Sequence, residues 1–177
     1  AIRDANKYRL TYVLFLRNLP ENLRVPLDNE SFYELISRNM LGLGPYSAMD
    51  TFHIIGQLEK RRDHELSKES REWVWANSGG HPGLLQALFS LIKEKPPAHA
   101  QMQNLERLAK QELVSEEFRK ISDGLLDEEQ DALKKIAHGD QNSVPPLTGK
   151  LLLAKGMIKP LNGRMIFFSP LFGYWLK

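Results

Sequence analysis

The sequence predicts a mainly α-helical protein, in which a helical bundle precedes a helix-helix-hairpin unit and one strand of a larger sheet lies near the amino terminus. Apolar residues recur at helical spacing through most of the chain. Near the carboxyl end, Asn162-Gly163 separates two short β-type runs, which is a strong signal for a hairpin. RLTYVLFLRN (residues 9–18) is a β-branched and aromatic run of strand length, typical of a strand buried on both faces.

The composition is that of an ordinary globular protein and excludes several kinds of chemistry. Of the 177 residues, 42% are hydrophobic and 26% are charged, and the formal net charge is +2. This mildly basic balance permits contact with nucleic acid but does not require it. The chain has no cysteine, which excludes disulfides and cysteine-ligated zinc and is compatible with a cytoplasmic location. No apolar run approaches the length of a membrane span, so we expect no membrane partner.

The amino-terminal strand needs neighbours that the chain does not supply. A buried strand requires a sheet, but NLPENLRVPLDNE has the composition of a loop and SFYELISRNM (31–40) has the spacing of a short amphipathic helix. The chain also begins without a methionine. We therefore expect residues 1–45 to be the remnant of a domain whose other half lies upstream.

Two helices with serine caps open the predicted bundle, residues 46–123. LGLGPYSAMDTFHIIGQLEKRRD (41–63) has a turn at Gly44-Pro45 and a helix with Ser47 at its N-cap. KESREWVWAN (68–77) follows Ser67, which is the expected cap of the second helix.

SGGHPGLLQALFSLI (78–92) predicts the third helix. Ser78 or one of the glycines is expected to cap it, and Pro82 fits its first turn because a proline has no N–H to leave unpaired. Residues 98–122 predict one longer helix whose inward face carries Met102, Leu105, Leu108 and Leu113.

From Gly124 the pattern changes to that of a second unit, residues 124–177. LLDEEQDALKKIAHGD predicts a helix with acids in its first turn and lysines further on, which suits the helix dipole. Pro145-Pro146 begins a short helix that ends at Gly156, and the hairpin around Asn162-Gly163 and an aromatic tail follow. This order of elements predicts a winged-helix domain.

Three segments resemble STAND-type P-loop ATPases, a branch of the AAA+ class. LGLGPYSAMDTFHII resembles the entry to the helical lid of that family. SGGHPGLLQALFSLI is similar to the Gly-Gly-His-Pro-Tyr-Leu-Leu-Gln stretch of the lid, although Gly83 stands where an aromatic residue is common. LLAKGMIKPLNGRMIFFSPLFGYWLK resembles the winged-helix tail. The resemblance implies that residues 1–45 end the ATPase core, 46–123 form the lid and linker helix, and 124–177 form the winged helix.

The resemblance implies a nucleotide-dependent regulatory switch that binds ATP or ADP with Mg²⁺ in the full-length protein. Gly79, Gly80, His81 and Pro82 would contact the nucleotide, and Arg17 would lie near the terminal phosphate. The chain lacks both phosphate-binding motifs of such ATPases, the glycine-rich loop and the acidic strand end. We therefore expect no ATPase activity and no bound cofactor in this chain alone. The implied partners are its own ATPase core, a protein effector and further copies in an oligomer formed on activation.

Two alternatives come from the residues themselves. In a DNA-binding winged-helix regulator, Lys150, Lys155, Lys159 and Arg164 would contact phosphates while the bundle serves as a dimerisation or ligand domain. The predicted second helix is mostly leucine and alanine, however, and offers few side chains that read bases. In an all-α scaffold without a nucleotide, the joint at Gly79 to Pro82 would serve packing alone.

Overall fold

The computed structural model describes residues 13–14, 42–94 and 104–177. In this part the protein is mainly helical with one two-stranded antiparallel sheet, as the sequence predicts in outline. The predicted strand at 9–18 lies outside the described residues except for Val13 and Leu14, which are exposed and belong to no strand. The predicted helix at 31–40 and Arg17 also lie outside them. None of the described helices is long and apolar enough to cross a membrane.

The first three helices are α1 (Ala48–Arg62), α2 (Lys68–Ser78) and α3 (Pro82–Glu94). The side chains of Ser47 and Ser67 accept the first-turn N–H groups of α1 and α2, so both predicted caps are confirmed. In the turn between α1 and α2, the buried carboxylate of Glu59 accepts the Leu66 N–H and lies 2.8 Å from the Arg71 guanidinium. These bonds fix the angle at which α2 leaves α1.

The predicted helix over 98–122 is wrong in its described part, because two helices stand there: α4 (Leu105–Ala109) and α5 (Glu112–Ser122). Gln111 has an extended backbone and breaks the helical path between them. The break changes the inward face, so that Val114 and Phe118 are buried while Leu113 is 39% exposed. Met102 lies outside the described residues.

The remaining elements follow the predicted order. α6 (Asp127–Ala137) and α7 (Pro146–Ala154) are joined through a short 3₁₀ turn, and β1 (Ile158–Leu161) pairs antiparallel with β2 (Arg164–Phe167). Asn162 and Gly163 both have positive φ, 50° and 75°, as a tight hairpin turn requires, so the predicted hairpin is confirmed. The Met165 N–H donates to the Gln141 side chain, which covers the free edge of β2.

The carboxyl-terminal helix α8 (Pro170–Trp175) packs into the bundle against α2, α4 and α5. Leu171 and Phe172 are fully buried. The Phe172 ring lies 5.2 Å from that of Phe118 and is stacked on Trp175 at 5.8 Å. The chain after the hairpin therefore completes the core of the first helices.

Candidate functional site

The glycine joint, residues Gly79 to Pro82, links α2 to α3 through two left-handed residues. Gly79 caps α2 with φ 57°, and its N–H donates to the Trp75 carbonyl. Gly80 has φ 80°, and its N–H donates to the Ser78 hydroxyl. Two successive residues with positive φ turn the chain sharply, and only glycine adopts that backbone without strain.

Two other segments of the chain lie directly against the joint. A Cβ atom on Gly79 would stand 1.9 Å from the Phe168 carbonyl oxygen, and one on Gly80 would stand 2.2 Å from the Tyr46 carbonyl oxygen. The Tyr46 N–H donates to the Gly80 carbonyl at 2.9 Å. The Ser169 hydroxyl donates to the carbonyl of Asn77. The glycines thus bring together the segment before α1, the turn between α2 and α3, and the segment between β2 and α8.

His81 caps α3, so the prediction that Ser78 or a glycine caps this helix is wrong. Its Nδ1 accepts the Leu84 N–H at 3.3 Å, and its carbonyl accepts the Leu85 N–H at 2.9 Å. Ser78 is not available because its hydroxyl is used inside the turn. The His81 ring is half-buried and lies 5.8 Å from the Phe168 ring. Burial lowers the pKa of His81, and the charge of Glu117 partly opposes that shift.

A cleft of about 370 Å³ opens beside the joint. Its walls are mostly apolar, and among the described residues that line it the exposed Lys159 is the one that carries a charge. Gly79, one of the residues predicted to contact the nucleotide, lines the cleft together with Lys159, one of the residues predicted to contact DNA. Gly80, His81 and Pro82 do not line it. The volume lies at the lower end of the range of small-molecule pockets. The other lining residues are Pro45, Leu153, Gly156, Ile158, Pro160 and Phe168.

The four cations predicted for nucleic acid fall into two groups. Lys150, Lys159 and Arg164 are exposed, and none of them makes an ion pair with another described residue. The Lys155 ammonium instead lies 2.7 Å from Oε1 of the buried Glu129. Lys155 therefore anchors the end of α7 to α6, a role that its position in the sequence does not indicate.

Sequence reasoning missed Glu117, whose carboxylate covers the first turn of α3. A Cβ atom on Gly83 would stand 1.8 Å from Glu117 Oε2, so a glycine here leaves room for the acid. The two residues are far apart in the sequence, and no spacing rule connects them. Across the described residues, no group of three or more His, Asp or Glu side chains is placed to hold a metal ion.

Comparison with known proteins gives no family for the chain. No protein-family model matches the sequence, and no curated protein or solved structure matches it. The resemblance to STAND-type ATPases therefore rests on the three quoted segments alone.

Proposed function

We propose that this chain is the helical lid and winged-helix part of a STAND-like P-loop ATPase and acts there as a nucleotide-dependent switch. The observation that carries the proposal is the glycine joint. Two of the residues that the resemblance assigns to the nucleotide, Gly79 and Gly80, lie in contact with Phe168 and Tyr46 respectively. The order of α6, α7 and the hairpin supports the winged-helix part.

The joint offers a physical route from nucleotide to domain arrangement. A ligand that contacts Gly79 from the cleft also meets Phe168, the residue directly before the N-cap of α8. Because α8 packs into the bundle, a shift of Phe168 moves the hairpin relative to α2 and α3. A nucleotide that favours one position of Phe168 shifts the population between two arrangements by its difference in affinity for them. The phosphate loop and catalysis belong to another part of the parent protein in this scheme.

The first test is a titration of the ¹⁵N-labelled chain with MgADP and MgATP, followed by NMR. We expect millimolar or weaker binding, with amide shifts concentrated at Gly79, Gly80 and Phe168. Adenosine and tripolyphosphate, added separately, show whether the base or the phosphates cause the shifts. The Gly139 amide serves as the control, since this glycine has a similar φ of 84° and is exposed. Micromolar binding by calorimetry would contradict the inference that the phosphate loop lies elsewhere, and unchanged joint amides would contradict a nucleotide role for the joint.

The coding sequence directly upstream provides the second test. The proposal requires a Gly-x-x-x-x-Gly-Lys-Ser/Thr loop there, following a strand, because its backbone amides hold the triphosphate. If such a loop is present, the full-length protein is the proper object for nucleotide measurements. An upstream sequence without a phosphate loop would remove the basis of the proposal.

DNA binding is the second candidate function, and the exposure of Lys150, Lys159 and Arg164 favours it. Fluorescence anisotropy of a labelled random duplex separates the two candidates. The ATPase proposal predicts no binding even at low salt. The DNA candidate predicts sub-micromolar binding that weakens steeply as the salt concentration rises. The magnitude of the slope of log K against log salt concentration should fall by about 0.9 for each phosphate contact removed. Neutralising the three cations would then weaken binding. The control Lys68→Gln neutralises a lysine of α2 that is not among the predicted DNA contacts, and it would not weaken binding.

A further inference from the structure

The cap that His81 provides for α3 requires a neutral imidazole. Because Nδ1 accepts the Leu84 N–H, the hydrogen-bond network assigns the proton of the neutral ring to Nε2. A protonated ring carries hydrogens on both nitrogens and has no lone pair with which to accept. It would also place a positive charge at the positive end of the α3 dipole. Protonation therefore removes the cap and adds a repulsive interaction.

The same ring touches the segment that leads into α8. The ring of Phe168 lies 5.8 Å from the imidazole, and the carbonyl oxygen of Phe168 lies against Gly79. The neighbouring Ser169 is buried, and its hydroxyl donates to Asn77 at the end of α2. A change in the position of the imidazole thus acts directly on the contact between the joint and the start of α8.

We propose that His81 makes the glycine joint sensitive to pH: protonation of the imidazole releases the first turn of α3 and loosens the contact between the joint and Phe168. The device needs no nucleotide, and its tests are therefore independent of the function proposed above. It acts at mildly acidic pH, because the charge of an ordinary histidine changes between about pH 5 and pH 8 and burial lowers the pKa of His81.

The charged groups around the ring set the direction of the effect. Glu117 on α5 faces the imidazole and raises its pKa, and Lys120 on the same helix pairs with Glu117 and weakens that influence. Tyr46, before α1, is a further titratable residue at the joint, and Phe168 and Ser169 carry no charge. Burial is the larger cause and lowers the pKa of His81 below its ordinary value of 6.5. The unfolded chain therefore takes up the proton first, so the stabilisation is complete above pH 6.5 and is lost as the pH falls below that value.

NMR titration of the chain between about pH 8 and pH 5 tests the device. We expect the His81 imidazole, the Leu84 amide and the Phe168 ring protons to share one midpoint below 6.5. Opening of the Leu84 amide, corrected for intrinsic exchange, should increase about tenfold for each unit by which folding lowers the pKa.

Two variants separate protonation from general instability. His81→Asn keeps an N-cap side chain that does not titrate, so the joint should keep its native shifts and lose its pH dependence. Glu117→Gln removes the opposing charge and should move the midpoint to lower pH. A joint that keeps the same pH dependence in His81→Asn overturns the proposal. If that variant does not fold, different midpoints for the imidazole and the Leu84 amide in the natural protein overturn it instead.

Discussion

Replacing Gly79 or Gly80 with alanine should lower the free energy of unfolding by at least about 3 kcal/mol, a loss in the upper part of the range for single substitutions. A left-handed backbone costs an alanine about 1–2 kcal/mol at either position. The new methyl group would also stand 1.9 Å from the Phe168 carbonyl oxygen, or 2.2 Å from that of Tyr46. Both neighbours are backbone atoms, and they move only if the start of α8 or the segment before α1 moves with them.

Gly139→Ala is the matched control for this pair. Gly139 has φ 84°, but no atom of a neighbouring described residue lies within 4 Å of the position that its Cβ would take. Alanine at this position has the cost of the left-handed backbone but collides with no neighbour. We therefore expect the free energy of unfolding to fall by about 1–2 kcal/mol. Urea unfolding followed by tryptophan fluorescence measures all three variants. Equal losses at the three sites would show that the close approach at the joint contributes nothing.

The elements that the sequence predicts correctly depend on residues close together in the chain. The caps at Ser47 and Ser67 are bonds to an N–H three residues away, and the turn at Asn162-Gly163 depends on the φ preferences of two residues. Such interactions form between residues a few positions apart and do not depend on how the rest of the chain packs. The predicted order of the last helices and the hairpin is correct for the same reason.

The break between α4 and α5 depends on distant packing. Neither Lys110 nor Gln111 is a residue that ends helices by itself. The new direction of α5 places Phe118 against Phe172 and Trp175, more than fifty residues later in the chain. Helical periodicity alone contains no information about that partner. Tertiary contact therefore overrides a pattern that favours one continuous helix.

The candidate site was predictable in its glycines but not in what covers them. The sequence indicates that Gly79 and Gly80 allow a close approach, but it does not distinguish a ligand from another part of the chain. In the structure, Tyr46 and Phe168 make that approach. Glu117 was missed because its position over the first turn of α3 arises only when α5 packs against α3. The His81 cap is a local bond to an N–H three residues away, and it was missed because histidine is not among the residues that usually cap helices. Whether a nucleotide also reaches this joint is the question that the NMR titration decides.

Lys155→Ala should lower the free energy of unfolding by about 3 kcal/mol, because it leaves a buried carboxylate without its cation. The Lys155 ammonium lies 2.7 Å from Glu129 Oε1 and 2.8 Å from Oε2, and the bond to Oε2 has hydrogen-bond geometry. Glu129 is 1% exposed and also accepts the Leu126 N–H, so its carboxylate cannot turn toward water without losing the first turn of α6. Lys159→Ala, a change of the same type at an exposed site, should cost less than about 0.5 kcal/mol.

The double variant Glu129→Gln/Lys155→Met tests whether the loss comes from the unpaired charge. It removes both charges, so it should be more stable than Lys155→Ala alone. In a cycle with the single variants Glu129→Gln and Lys155→Met, the coupling between the two sites should exceed about 0.5 kcal/mol. Additive losses would mean that the two side chains do not interact.

The result also bears on DNA binding, because Lys155→Ala weakens the fold that presents Lys150, Lys159 and Arg164. A fall in duplex affinity in that variant is evidence of a phosphate contact only if the double variant, which also lacks the ammonium but is more stable, shows the same fall.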